Sequence, residues 1–250
     1  MHPFRRGLAY LLVPIGIKRR TDLTILLRYK WHPFFILSCL KKSYSQLGQD
    51  VFVAGELKLW KKSNAPHFFV EFGAADGIEL SNTYLLESLF NWSGVLAEPA
   101  KSWQVSLNNN RKCIIDHRCV YGVTGKTLVF KETIDAVYST ISEYQSIDSH
   151  SVDRQYGKEY TVDTVSLVDM LVECSAPKKI DYLSIDTEGS EYEILAAFDF
   201  DQYSFKIITV EHNYTEQREK ISDLLSSHGY KRILPDVSLW DDWYVYAQSR

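Results

Sequence analysis

Between residues 67 and 247, short apolar runs alternate with amphipathic stretches, and most runs stop on a small or ionisable residue. Phe68 to Phe72 stops at Gly73 and predicts a buried strand. A glycine-bearing loop follows, then Ser81 as a helix cap before Thr83 to Phe90. Gly94 to Glu98 is a second strand, closed by Pro99, and Lys101 to Asn110 a helix. A third strand region starts at Cys113 and reaches Val120. Residues 122–164 are less regular, with short strands at Thr127 to Lys131, Tyr138 to Ser142 and Thr161 to Val165, and a polar, mobile loop over 143–158. Ser166 and Asp169 have capping-box spacing and open a helix to Cys174. Ile180 to Asp186 alternates as a strand ending on an acid; Gly189 to Ala197 is helical. Lys206 to Glu211 is a strand, Thr215 to Ser227 a helix, and Tyr230 to Leu234 and Trp243 to Ala247 two last strands. Strand–helix alternation predicts an α/β fold with a mostly parallel sheet, helices on both faces and an antiparallel hairpin at one edge. Ligands of such sheets bind beyond the carboxyl ends of the strands, so those junctions are where chemistry is to be sought.

The first 43 residues read differently, as a basic segment preceding the domain at 44–250. Residues 1–45 hold nine Lys/Arg and one acid, a net +8, leaving −12 for the rest of a chain whose total is −4. That distribution lacks the footprint of a nucleic-acid binder. The apolar runs Leu8 to Ile17 and Trp31 to Leu40 are each ten residues, too short to cross a bilayer. Short helices covering one edge of the domain are expected; a peripheral contact with anionic lipid is the alternative. The four cysteines have no CxxC spacing, so no structural zinc and a reducing, cytoplasmic setting are expected. The sequons at Asn91 and Asn213 fall beside core elements and are expected to be unmodified.

Candidate chemistry lies at four junctions. Glu71, Gly73, Ala74, Asp76 and Gly77 surround the first loop, where small residues admit a close ligand. A dinucleotide loop wants a middle glycine to clear pyrophosphate, but position 75 is Ala and two acids flank the loop. Acids suit a ligand carrying an ammonium group and a positive sulfur. Glu98, 21 positions after Gly77, is placed to accept hydrogen bonds from ribose hydroxyls. Asp186 and Glu188 follow the strand at 180–186, and Glu211 and His212 end the strand at 206–211. Methyl transfer from sulfonium to oxygen needs in-line alignment and a base for the hydroxyl proton, a role open to His212 or a carboxylate. The structural alternative is that Asp186 and Glu188 cap the next helix and His212 is a satisfied edge histidine.

In this set the chain resembles the FkbM family of class I S-adenosylmethionine-dependent methyltransferases. The matching pieces are Tyr44-Ser45-Gln46 with Gly48-Gln49-Asp50, Val70 to Ala74 with Asp76-Gly77, Ser81-Asn82-Thr83 with Leu86-Glu87, Gly94-Val95-Leu96 with Glu98-Pro99, Ile185-Asp186 with Glu188-Gly189 and Glu193, and Glu211-His212. The resemblance implies a Rossmann-like, seven-stranded sheet with an antiparallel last strand, and O-methylation of a hydroxyl on a carbohydrate or small metabolite. It puts Gly73, Asp76 and Gly77 on the methionine and ribose side, Glu98 on the ribose, Val120 by the adenine and Asp186 beside the reactive methyl. It also implies that Gln46 and Asn82 reach the methionine end, with the alternative that Ser81-Asn82 is only a helix cap. Some related enzymes hold Mg²⁺ on carboxylates after the fourth and fifth strands, and Asp186, Glu211 and Asn213 could mimic that set. The intervening His212 and the longer Glu disfavour it, so no metal is expected. Competing readings are an NAD-linked oxidoreductase, disfavoured by the loop acids, and a catalytically silent, membrane-associated module of the same fold.

Overall fold

The structure, a computed structural model, describes residues 17–146 and 151–247. The run over 8–17 lies outside the described residues except for Ile17, as do residues 147–150 of the loop over 143–158. Among the described residues three helices come first: α1 (Arg20–Arg28), α2 (Pro33–Lys42) and α3 (Gln49–Glu56). Asp22 Oδ2 accepts the backbone N–H groups of Lys18 and Arg19 at 2.8 and 2.9 Å and so starts α1. Pro33 starts α2, where its missing N–H is not needed. Next are β1 (Phe68–Phe72), α4 (Tyr84–Phe90), β2 (Ser93–Ala97), α5 (Gln104–Asn110) and β3 (Ile114–Asp116). Then follow β4 (Cys119–Tyr121), β5 (Thr127–Glu132), β6 (Thr140–Ile141), β7 (Lys158–Ser166) and α6 (Leu167–Glu173). The chain closes with β8 (Lys179–Ile185), α7 (Glu191–Ala196), β9 (Ser204–Glu211), α8 (Gln217–Ser227), β10 (Tyr230–Ile233) and β11 (Asp241–Tyr246).

The main sheet runs β3-β2-β1-β8-β9-β11-β10, parallel except for β11, which pairs antiparallel with both neighbours. Strand alternation gives the sheet two buried faces. Val70, Phe72, Leu183, Ile185, Ile208 and Val210 meet one core, shared with α6, α7 and α8. Phe69, Leu96, Tyr182, Ile207 and Trp243 meet the other, shared with Ile25 of α1 and Ile36 and Leu40 of α2. Each such side chain contributes about 1.5–3 kcal/mol on burial. Residues 17–43 therefore pack as part of the domain's core, not as a separate arm.

Two expectations need correction. The third strand region does not continue through residue 120: a turn at Asp116, whose Oδ1 accepts the N–H of Arg118 at 2.9 Å, separates β3 from β4. β4 belongs to a second, four-stranded sheet, β4-β7-β5-β6, that periodicity does not announce. The loop over 143–158 contains a 3₁₀ turn, Asp153–Tyr156, and is bonded to the site through Arg154. Among the described residues, no helix is long and apolar enough to cross a membrane.

Candidate active site

The carboxyl ends of β1, β2 and β8 open onto one recess, lined among others by Gly73, Asn82, Glu98, Val120 and Asp186. Gly73 is required there by two facts. Its φ is +73°, and a Cβ would run into the carbonyl oxygen of Asp186. Ala75, Leu80 and Glu188, also on the recess, hold positive φ of 46°, 63° and 57° without being glycine. Such strain persists where surrounding contacts over-determine it and is concentrated at functional sites.

A buried network fixes the first loop. Glu71 accepts the backbone N–H of Asn82 at 2.6 Å and the hydroxyl of Ser81 at 3.0 Å, and the hydroxyl of Thr83 also donates to it. Ser81 in turn accepts the N–H groups of Thr83 and Tyr84, but Thr83, not Ser81 as expected, occupies the cap position of α4. Arg111, 5 % exposed, donates to Glu87, to the carbonyl of Gly77 at 3.0 Å and to Thr83 at 2.9 Å. Gly77 has no Cβ because one would meet Arg111 Cγ at 2.6 Å. Asp76 Oδ1 accepts the N–H groups of Ile78 and Glu79, both at 2.8 Å. Asp76, Gly77 and buried Ala74 are therefore turn and packing residues behind the recess lining, not on it. Glu71 does touch the recess, yet its carboxylate is engaged by the 81–83 turn.

The segment at 44–50 is held as tightly. Asp50 Oδ1 accepts the hydroxyls of Ser43 and Ser45, each at 2.7 Å. Gln49 donates to Asp241 at 2.6 Å, and Trp240 Nε1 donates to Gln46 Oε1 at 3.1 Å. Gln46 thus reaches the recess from a frame that ties the amino-terminal layer to the last hairpin.

Glu98 is 6 % exposed, with one oxygen accepting Ala75 N–H at 3.0 Å and the other Ala100 N–H at 2.8 Å. Burial pushes its pKa up to about 7, reinforced by Asp186 and Glu132 and opposed by the two N–H groups. Two buried polar atoms facing this region have no protein partner: Asn82 Oδ1 and Trp103 Nε1. Asn82 is oriented by Ser184, whose hydroxyl accepts its Nδ2 at 2.9 Å, leaving the acceptor end unbonded. An orphan acceptor fits an ammonium; an orphan donor beside Cys119 and Phe130 fits a ring nitrogen. The residues present therefore fit an amino-acid-bearing nucleoside.

Asp186, Glu188 and Glu211 form the acidic end, with carboxylate oxygens within 4.8 Å of one another. Burial pushes the Glu211 pKa well up, with Asp186 and Glu188 adding repulsion, and a hydrogen bond links it to Asp186. Asn213 Nδ2 donates to Glu211 at 2.9 Å, and Arg154, 1 % exposed, donates to Glu188 at 2.7 Å. Arg154 also donates to the carbonyl of Tyr138 at 2.9 Å, and Thr140 donates to the Glu188 carbonyl at 2.8 Å. The second sheet is thereby tied to Glu188, and its Ile141, with Val137 and Ser139 of the preceding loop, walls the recess. The oxygen set could hold a hard divalent cation, but the Arg154 guanidinium already answers Glu188.

His212 is placed elsewhere. It is buried, its Nδ1 accepts the N–H of Tyr214 at 3.0 Å, and its Nε2 lies 3.8 Å from Asp242. Burial pushes its pKa down to about 4, outweighing Asp242. It is not on the recess lining, so the structure does not bring it together with Glu98 and Asp186. Arg111 and Arg154 are residues that sequence reasoning did not assign to this site, and nothing in their neighbours along the chain marks them; Trp103 is legible in the sequence only as an aromatic that could stack on a sugar face, with a core or surface role favoured.

A 3-2-1-4-5-7-6 order with an antiparallel seventh strand, and a ribose-type acid after the second strand, define a Rossmann-like class I methyltransferase. The chain belongs to the FkbM family: the profile of the methyltransferase FkbM domain matches residues 71–232. It is an S-adenosylmethionine-dependent methyltransferase. None of the proteins of curated function matches it. Among solved structures it is similar to a precorrin-6y C5,15-methyltransferase from Geobacter metallireducens GS-15, at 12% identity over 77% of this chain and 76% of that one, TM-score 0.41. It is also similar to a ribosomal protein L11 methylase from Lactobacillus delbrueckii subsp. bulgaricus, at 10% identity over 80% and 79%, TM-score 0.36.

Two carboxylate-dependent effects follow from Glu98. The ribose hydroxyls need acceptors, so the ionised form binds the nucleoside better. With the free-enzyme pKa about 7, affinity for S-adenosylhomocysteine is expected to rise as pH climbs through 7 and to level off above it. Calorimetry across that range reads the slope, and Glu98→Gln is expected to flatten it and weaken binding by about tenfold or more. An unchanged slope in the variant would place the titrating group elsewhere.

Proposed function

We propose that this chain O-methylates a hydroxyl of a carbohydrate or small metabolite, with Asp186 taking the proton. The observation that supports this most is the juxtaposition, on one recess, of Glu98, the orphan Asn82 Oδ1 and the Asp186–Glu211 pair. S-Adenosylmethionine supplies the electrophilic methyl. Glu98 accepts from the ribose, Val120 and Trp103 flank the adenine, and Asn82 with Gln46 receives the ammonium. Asp186 removes the acceptor's proton as its oxygen bonds the methyl carbon and the carbon–sulfur bond breaks. Glu211, whose pKa is pushed up by burial and by the neighbouring Asp186 and Glu188, limits the negative charge gathered near the sulfonium. The acceptor enters against Val137, Ser139 and Ile141, a wall with little charge, which suits a neutral acceptor.

Cys39, Cys113, Cys119 and Cys174 are all free, which supports the cytoplasmic setting. Titration with S-adenosylhomocysteine and with NAD tests the cofactor: heat only with NAD would end this reading and restore the oxidoreductase. A tritiated-methyl transfer screen against glycans and metabolites then finds the acceptor. Turnover is expected to survive EDTA unchanged, because Arg154 and Asn213 meet the charge that a cation would otherwise meet. Loss of turnover on chelation, restored by Mg²⁺, would make Asp186, Glu188 and Glu211 metal ligands instead.

A further inference from the structure

At the turn joining α1 to α2, Leu27, Trp31 and Phe34 are 63%, 82% and 86% exposed. Single exposed apolar residues are ordinary, but three large ones at one tip are not. The tip is held in shape. His32 stacks on Trp60 with ring centroids 4.0 Å apart, Phe35 meets the same ring edge-on at 5.6 Å, and Tyr29 Oη donates to Glu56 at 2.8 Å. Trp60 brings the turn bearing Lys58, Lys61 and Lys62 beside it. These three lysines and Lys30 are exposed, and none is ion-paired among the described residues. The Lys30 ammonium sits 5.5 Å from the centre of the Trp31 ring. Across residues 17–66 no acid offsets them: Asp22 and Asp50 are fully buried, and Glu56 is bonded to Arg28.

We propose that this tip docks on an anionic membrane surface, with Trp31 and Phe34 entering the headgroup boundary and the four lysines facing acidic lipid heads. Exposed aromatic side chains beside unpaired lysines match the chemistry of a bilayer interface, where apolar side chains enter the headgroup boundary and cations meet acidic lipid heads. The position of the tip adds a consequence. Phe35 meets Phe90 at 5.9 Å, where α4 leads into β2, so the tip lies at the amino ends of the strands. The recess opens at their carboxyl ends, about 17 Å away for a five-residue strand. A docked enzyme therefore keeps its recess open to water.

Co-sedimentation of the full chain with phosphatidylcholine vesicles, with and without phosphatidylserine, tests this. Binding is expected only with phosphatidylserine, and is expected to weaken about tenfold as added salt shortens the screening length. Trp31→Ser/Phe34→Ser and Lys61→Glu/Lys62→Glu are each expected to weaken it about tenfold, with melting temperature and methyl transfer unchanged. Both leave residues 1–16 intact, so vesicle binding that persists undiminished in both overturns the proposal. So does equal binding to neutral vesicles, a dimer in sedimentation velocity that the Trp31/Phe34 change dissolves, or a duplex-DNA complex that vesicles do not displace.

Discussion

Asp186→Ala is expected to lower methyl transfer by about 10²–10⁴-fold while S-adenosylhomocysteine affinity changes only severalfold. The asymmetry follows from position. Asp186 directly follows β8 on the recess beside Glu211, whereas the ribose and ammonium contacts are proposed to fall to Glu98 and Asn82. Asp186→Asn sharpens the test. It keeps the volume and can still bond Glu211, so a purely structural Asp186 would tolerate it, but an amide cannot take the proton. Single-turnover transfer of tritiated methyl reads the chemical step directly. Full turnover in Asp186→Asn would move proton removal to another group and leave the cofactor site standing.

Arg111→Met carries the largest expected stability cost. The guanidinium is fully buried between Glu71 and Glu87 and bonds the Gly77 carbonyl and Thr83 as well. Removing it strands two carboxylates away from water, which costs about 3–5 kcal/mol. For a domain of this size the melting temperature should fall by roughly 10 °C. The same loss frees the 73–83 loop, so cofactor affinity is expected to fall too, although Arg111 is not itself on the recess lining. Arg111→Lys keeps the charge but not the fork, and should recover only part of the stability. A melting point unmoved by Arg111→Met would show that Glu71 and Glu87 do not depend on this guanidinium.

Glu98 illustrates how far sequence reasoning reaches. Its strand reads as buried because Val95, Leu96 and Ala97 are apolar and Pro99 ends it, and an acid at that point must lie at the sheet's carboxyl edge. Asp186 and Gly73 are legible for the same reason. Asp76 and Gly77 belong to the same loop and the same family pattern, yet they serve its turn and its packing on Arg111. A loop's sequence does not reveal which of its residues face inward. The second sheet was hidden for another reason. β5 pairs with β7 across 26 (Glu132 to Lys158) to 36 (Thr127 to Asp163) residues, and its exposure pattern is mixed, so no local period reports it.

What the chain's own order of residues determined is the series of strand ends: buried parallel strands must be apolar along their length, so each stop is visible wherever a Gly, Pro or acid interrupts the run. Packing alone decided which groups at those ends meet. Glu211 and His212 are adjacent, and neighbours along an extended backbone point to opposite sides, so one joins Asp186 and the other is buried near Asp242. Arg111 and Arg154 reach their carboxylates across 24 and 34 residues of chain, distances over which only the folded sheet brings charges together.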